Sequence, residues 1–299
     1  MKRDGLWLRM LAFLAVLLLA FAACGEDEEP EPQGGGNGDN GGASEEIKLV
    51  EDGVLTVGSD IPYPPFEFED EGGALSGFDV DVVRAVAERI GLQNEDTDWI
   101  STDFTTIFQQ LQTGNKFDIV VAAVTGYAPD GSPAAEVVAE RTSLIDFTLP
   151  YYPSLQSLAV NTNETPDVAG HEDLEDGARV AVQAGTTGAF YAQENLAPRL
   201  ELVEFPKAPG MYQALLAGQV AGVFSDLPVA IDEVKNKEGL EVVQQVETGE
   251  EYAIAVAKDN TALKDAIDAA LEEIYTDGTY VEIFEKYFPD QELPDYAQG

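Results

Sequence analysis

Cysteine and histidine are almost absent from this chain of 299 residues. A single cysteine rules out an internal disulfide bond. Because His171 is the only histidine, the sequence has no Cys/His cluster typical of zinc sites and no Ser/His/Asp arrangement typical of nucleophilic catalysis. A glycine-rich phosphate-binding loop is missing as well. We therefore expect no metal, no cofactor and no catalytic residues.

Positive charge is also scarce. The chain has 16 lysines and arginines against 56 aspartates and glutamates, which gives a formal charge of −40 at pH 7. This excess of negative charge argues against nucleic-acid binding and against docking of the folded part on an anionic membrane. Solubility at high ionic strength is one interpretation of the acidity, because salt screens self-repulsion. The other interpretation is that the acidic surface binds one basic partner.

The apolar run from Leu11 to Phe21 is too short to cross a bilayer as a permanent anchor, and the basic residues before it are typical of a secretion signal. Small residues directly before Cys24 resemble a bacterial lipoprotein processing site. The resemblance implies that residues 1–23 are removed and that Cys24 is lipidated. An ordinary secretory peptide cut at the same place is the alternative. Residues 24–46 are rich in Gly, Glu, Asp and Pro and predict a flexible tether.

Strands and helices alternate after the tether. Val54 to Gly58 predicts a strand, and apolar residues that recur every fourth position from Phe78 to Ile90 predict a helix with one buried face. A second helix, from Phe104 to Thr113, leads to an apolar run at 119–124 that predicts a strand buried on both faces. This order indicates an α/β fold with a parallel sheet.

Polar residues lie at the ends of these predicted elements. Asp79 and Asp81 fall in the first turn of the first helix, and we interpret both as capping residues that favour the helix dipole. Thr125 follows the buried strand, at the sheet edge where ligands bind in open α/β proteins. Arg141 comes next, and an arginine there can grip a carboxylate through two parallel hydrogen bonds.

Five motifs follow one another along the chain: D-x-P-Y-P-P-F-E from Asp60, G-F-D-V-D from Gly77, R-x-x-x-x-D-F-T-x-P-Y from Arg141, V-x-x-G-T-T from Val182, and D-G-T…K-Y-F from Asp277. Together they resemble the solute-binding proteins of amino-acid ABC transporters. One departure is the separation of Thr125 and Arg141, sixteen positions apart, which is longer than the family's spacing. We expect the inserted residues, within 126–140, to form a loop that tunes ligand choice.

The resemblance implies a two-lobed periplasmic-binding-protein fold of type II. Such a fold has two hinge crossings and a ligand cleft between the lobes. Lobe 1 would consist of residues 47–154 and 252–299, and lobe 2 of residues 155–251.

The resemblance also implies how a ligand is held. Arg141 and Thr187 would bind its carboxylate, and Asp226 its ammonium group. Tyr63 and Phe104 would cover its apolar body, while Asp60 would favour a polar or basic side chain. The full set of expected ligand-binding residues is Asp60, Tyr63, Phe104, Ala123, Thr125, Arg141, Gln183, Thr187 and Asp226.

The function implied in this way is binding without catalysis. We expect an extracytoplasmic protein that captures an amino acid, or a close zwitterionic analogue such as a compatible solute, and delivers it to an ABC transporter permease. It would be monomeric and attached to the membrane by its lipid. Two alternatives stay open, namely a ligand sensor for a separate receptor and a dehydratase-like enzyme on the same fold.

Overall fold

The computed structural model describes residues 47–93 and 97–298. The predicted signal peptide, the tether and Cys24 lie outside these residues. The strands are β1 (Leu55–Ser59), β2 (Phe68–Glu69), β3 (Leu75–Ser76), β4 (Thr97–Ser101), β5 (Ile119–Val120), β6 (Thr125–Tyr127), β7 (Ile145–Asn161), β8 (Arg179–Gln183), β9 (Glu201–Phe205), β10 (Gly222–Asp226) and β11 (Leu240–Ala257). The helices are α1 (Phe78–Arg89), α2 (Phe104–Gln112), α3 (Pro133–Leu144), α4 (Thr187–Asn195), α5 (Ala208–Leu216), α6 (Leu227–Val234), α7 (Thr261–Asp277) and α8 (Thr279–Tyr287).

One sheet runs through the described part of the chain in the order β4-β1-β5-β11-β7-β10-β8-β9, and β6 joins it beside β11. Strands β4, β1 and β5 are parallel, as are β10, β8 and β9. Between these two groups lie the long strands β7 and β11, which pair antiparallel along most of their length. The sheet therefore has a first half and a second half that share β7 and β11, and the predicted α/β class is confirmed.

An aromatic cluster holds the first half together. Phe66 lies edge-on to Tyr152 and Tyr252, with ring centroids 5.1 and 5.3 Å apart. Phe78, at the start of α1, packs 5.1 Å from Phe288, which follows α8. These rings are almost fully buried. Because they come from the proline-rich loop, α1, β7, β11 and the C-terminal segment, the first half is completed only by residues near the end of the chain.

The strand predicted at 119–124 is shorter than expected. Its ladder ends at Val120, and Thr125 begins the separate strand β6. Ala123 has a φ of 47°, a left-handed conformation that is rare for a residue with a side chain. Its N–H donates to Asp79 Oδ2 at 2.9 Å. The left-handed turn at Ala123 interrupts the regular strand here.

The capping roles expected for Asp79 and Asp81 are wrong. The N-cap of α1 is Gly77, and no side chain caps the helix. Carbonyls of the proline-rich loop accept the free N–H groups instead, since Phe78 N donates to Pro65 O and Asp79 N to Phe66 O. The two carboxylates have other partners: Asp79 is buried against Ala123, and Asp81 Oδ2 accepts from Lys286 and Tyr287 on α8.

The insertion before Arg141 is mostly helical, whereas the sequence was expected to form a loop there. Ser132 caps α3 by accepting from Ala135 N at 3.2 Å, and Pro133 occupies the first helical position. Arg141 therefore lies in the last turn of a helix. α3 packs against α4 of the second half.

The described residues contain neither a membrane-spanning helix nor a cluster of metal ligands. Within 47–93 and 97–298, no helix is both long enough and apolar enough to cross a membrane. In the same residues, no group of three or more His, Cys, Asp or Glu side chains is arranged to hold a metal ion.

Candidate functional site

A cavity lies where the two halves of the sheet meet. All nine residues expected at a ligand line it, together with Glu67, Ala122 and Thr186. Only about 20 Å³ of it admits the centre of a water-sized sphere, so the lining side chains lie close together. Residues of the first half come from the ends of β1 and β5 and from α2 and α3. Those of the second half follow β8 and end β10, so the cavity lies at the carboxyl ends of parallel strands, as in other open α/β sheets.

Arg141 provides a buried positive charge at this cavity, with only 4 % of the residue exposed. Its guanidinium lies against the rings of Phe104 and Phe108, 5.4 and 5.0 Å from their centroids. Nη1 donates to Thr125 O at 2.8 Å, and Nη2 donates to Gly185 O of the second half at 3.2 Å. Burial lowers the pKa of Arg141 to about 10, so the group stays charged at neutral pH.

Asp226 is the buried carboxylate that ends β10. Its Oδ2 accepts hydrogen bonds from Tyr63 at 2.8 Å and Tyr252 at 2.6 Å, and Oδ1 accepts from Gln156 at 2.6 Å. Burial, and secondly the charge of Glu250, raise the pKa of Asp226 to about 6. Asp226 occupies the N-cap position of α6, but its side chain does not cap that helix. Its carboxylate instead accepts hydrogen bonds from Tyr63 of the first half and from the shared strands β7 and β11.

Asp60 is neutralised by the protein itself. Its Oδ1 lies 2.7 Å from Lys207 Nζ, and its Oδ2 accepts from Gln183 Nε2 at 2.7 Å. Both partners belong to the second half, so these contacts cross the cleft. Burial raises the pKa of Asp60, and Lys207 opposes that effect. Lys207 also donates to Ile61 O at 2.6 Å. Lys207 belongs to none of the sequence motifs and was not among the expected ligand-binding residues.

Glu250 is a second functional candidate that sequence reasoning missed. It is 1 % exposed, and its Oε2 accepts hydrogen bonds from the hydroxyls of Thr125 at 2.7 Å and Thr187 at 2.6 Å. Gln156 Nε2 lies 3.4 Å from its other oxygen. Nothing in the pattern around Glu250 distinguishes it from the chain's many other acidic residues, and its burial follows from the register of β11 against β7.

Glu67 also lines the cavity without having been expected there. It is fully buried, and burial together with the neighbouring Asp79 raises the pKa of its carboxyl group well above the ordinary range. Burial likewise raises the pKa of Asp79, to about 6. Two carboxyl groups in contact cannot both ionise cheaply in a buried place, so the pair favours keeping a proton. The final position of the D-x-P-Y-P-P-F-E motif was the available signal.

Comparisons with known proteins agree with this architecture. Residues 55–290 match the model of the bacterial extracellular solute-binding proteins, family 3. ABC transporter arginine-binding protein 1 of Escherichia coli (strain K12) is 28 % identical over 240 residues, covering 79 % of this chain and 90 % of that protein. ABC transporter glutamine-binding protein GlnH of Bacillus subtilis (strain 168) is 26 % identical over 290 residues, covering 95 % and 96 %.

Solved structures show the same similarity. An ancestral arginine-binding protein, solved bound to arginine and also bound to glutamine, is 34 % identical with a TM-score of 0.70 in both cases. The arginine-bound structure covers 79 % of this chain and 98 % of its own. The ancestral amino-acid-binding protein AncCDT-1, a precursor of cyclohexadienyl dehydratase, is 31 % identical with a TM-score of 0.67, covering 79 % and 95 %.

The raised pKa of Asp226 predicts how stability depends on pH. The folded-state pKa is about 6, against an ordinary value of 3.8. Between these values the folded protein binds more protons than the unfolded chain, so stability falls as pH rises and the full penalty is present above pH 6. We expect Asp226→Asn to raise the free energy of unfolding of the ligand-free protein by at most about 2–3 kcal/mol at pH 7.5, because the amide has one accepting oxygen where the carboxylate has two for Tyr63, Tyr252 and Gln156.

Urea unfolding at pH 4, 6 and 7.5 measures this effect. The gain of Asp226→Asn over the parent should shrink as pH falls from 6 towards 4. The exposed Asp98→Asn on β4 serves as control and should follow the parent at every pH. A pH-independent gain, or no gain, would show that the charge of Asp226 does not oppose folding.

Proposed function

The chain belongs to family 3 of the bacterial extracellular solute-binding proteins, and we propose that its cleft captures an amino acid or a close zwitterionic analogue for delivery to an ABC transporter permease. One observation carries this proposal: Arg141 of the first half and Asp226 of the second half line the same cavity. A free amino acid presents a carboxylate and an ammonium group a few bonds apart. Such a ligand matches the two charges and links the halves.

The proposed mechanism is binding and release without a covalent step. Arg141 takes the ligand carboxylate, Asp226 takes the ammonium group, and the rings of Tyr63 and Phe104 cover the apolar body. β7 and β11 form the two crossings between the halves, and hinge bending there opens and closes the cleft. The proposed lobe boundaries, after residue 154 and before residue 252, fall inside these two strands. Closure expels water and strengthens both charge pairs.

The ligand side chain is expected to be polar and neutral. In the relatives' pattern Asp60 is the residue that would meet a basic side chain, but here Lys207 and Gln183 already occupy its two oxygens. A second cation placed beside Lys207 would meet like charge and lose affinity. Lys207 therefore supplies internally the positive charge that an arginine or lysine ligand would otherwise bring.

A calorimetric panel of the common amino acids on the purified protein tests the function. We expect at least one neutral polar amino acid to bind more tightly than arginine and lysine. In Lys207→Met, where Asp60 is left unpaired, the preference should move towards the basic amino acids by about tenfold or more. Lys116→Met removes an exposed lysine outside the cavity and should keep the parent's preference. Absence of binding across the whole panel and common zwitterions would refute the function.

The two proposed charged contacts of the ligand, Arg141 and Asp226, lead to a separate prediction. Removing one partner of a buried charge pair costs about 2–5 kcal/mol, so Arg141→Ala and Asp226→Ala should each weaken binding by about thirtyfold or more. Esterifying the ligand carboxylate should weaken the parent severely but Arg141→Ala much less. Calorimetry on both proteins with amino acid and ester completes the cycle, and circular dichroism checks that each variant is folded. An equal ester penalty in both proteins would remove Arg141 from the carboxylate site.

The place of the protein in the cell follows from its family as extracytoplasmic, and we propose lipid attachment through Cys24. The support is the run of small residues before the only cysteine and the acidic tether that follows it. A tether of this composition would leave a monomeric binding domain mobile above the membrane. Cys24→Ser should release the protein from the membrane fraction or leave the precursor uncut. Mass spectrometry that finds an unmodified mature N-terminus at Cys24 would contradict the proposal.

A further inference from the structure

The buried carboxylate of Glu250 contacts the hydroxyls of Thr125 and Thr187, two residues that line the cavity. It comes from β11, one of the two crossings, rather than from a strand end that faces the cleft. Its Oε2 is 2.7 Å from Thr125 Oγ1 and 2.6 Å from Thr187 Oγ1, and both hydroxyls donate to it. The threonines belong to different halves, so Glu250 joins the halves at the hinge side of the cavity.

A hydroxyl group has one proton, and this fixes what the threonines can offer. Because the protons of Thr125 and Thr187 are committed to Glu250, both oxygens have only lone pairs left for a ligand. Lone pairs accept hydrogen bonds from an ammonium or amide N–H group, but they repel a carboxylate. In this arrangement the hydroxyl of Thr187 does not donate to a ligand carboxylate.

The charges around Arg141 act in the same direction. Burial lowers the pKa of Arg141, and nearby negative charges raise it. Glu250 contributes most to this second effect, and Asp226 comes next. Arg141 is thus already compensated by the protein's own carboxylates. A ligand carboxylate that enters beside Arg141 adds a further negative charge to a buried region that holds Glu250 and Asp226. Buried charge without a partner is costly, so Glu250 opposes the ligand's anionic end.

We propose that Glu250 is a specificity-determining residue, because its carboxylate competes with the ligand carboxylate for the hydroxyl protons of Thr125 and Thr187. By occupying the hydroxyl donors of Thr125 and Thr187, it weakens the grip on a free carboxylate and leaves Arg141 as the anion contact. It also narrows the difference in affinity between an amino acid and its α-amide, in which a neutral amide replaces the carboxylate. This inference rests on the proposed function, because it assumes that the cavity binds the carboxylate of an amino acid.

The test uses L-glutamine and L-arginine as probes, each beside its α-amide, and titrates them calorimetrically into the full-length protein. Glu250→Gln keeps the shape of the side chain but removes its charge. We expect the variant to bind the better of the two amino acids about tenfold or more tightly than the parent, because the competing negative charge is gone and a neutral amide oxygen holds the hydroxyl protons less strongly than a carboxylate does. Affinity for the α-amides should change by less than about threefold. Glu251→Gln, the adjacent partly exposed residue, is the matched control and should bind like the parent.

A second set of variants separates the proposed role from a purely structural one. Thr187→Val should cost the parent little amino-acid affinity, because the hydroxyl proton is engaged by Glu250. In the Glu250→Gln background the same change should remove much of the gain. If Glu250→Gln fails to fold by circular dichroism, Glu250→Ala takes its place in the same cycle.

The outcomes distinguish this inference from the function on which it rests. If the parent binds an amino acid and the Glu250 variants bind it equally or more weakly, Glu250 supports the site and the inference is overturned. An equal gain for the amino acid and its amide also overturns it, because the effect would not depend on the carboxylate. If neither parent nor variants bind any amino acid or zwitterion of the panel, the proposed function itself fails.

Discussion

Buried charge that must find a partner is the constraint on which the cleft depends. Asp226 is satisfied by donors from Tyr63, Tyr252 and Gln156, and Asp60 by Lys207 and Gln183. Several of these contacts, such as Tyr63 with Asp226 and Lys207 with Asp60, join the two halves. A ligand gains only the difference between its contacts and those it displaces, so affinity here is an exchange of partners rather than a sum of new ones.

Much of the fold and the expected site could be predicted from the sequence. The alternation of strands and helices predicts the α/β class, and the family resemblance predicts nine residues that the structure brings around one cavity. Most of those residues end or follow a strand or begin a helix, where local sequence determines position; Thr125, which begins β6, and Arg141, in the last turn of α3, are exceptions. The shorter strand at Ala123 and the caps of α1 could not be predicted, because they depend on carbonyls and carboxylates from distant segments.

Glu250 and Lys207 show a different limit. In a chain with 56 acidic residues, one glutamate carries no signal of its own, and its burial arises from the pairing of β11 with β7. Lys207 reaches Asp60 only because the loop after β9 meets the first half across the cleft. The helix α3 is a different case, since Ser132 and Pro133 are ordinary helix-start signals. There, the two glycines and two prolines of residues 126–140 favour a loop in the prediction.

The position of β11 in the sheet has a consequence for the order in which the molecule can be assembled. β5 has β1 on one side, but the strand on its other side begins only at Leu240. The rings of Phe78 and Tyr152 likewise pack against Phe288, which is synthesised much later. The strands and helices of the second half, in contrast, are contiguous in the chain between Arg179 and Val234. During synthesis or export, which deliver the N-terminus first, the half that emerges first is thus the last to be completed, and its apolar face stays uncovered until the C-terminal residues arrive.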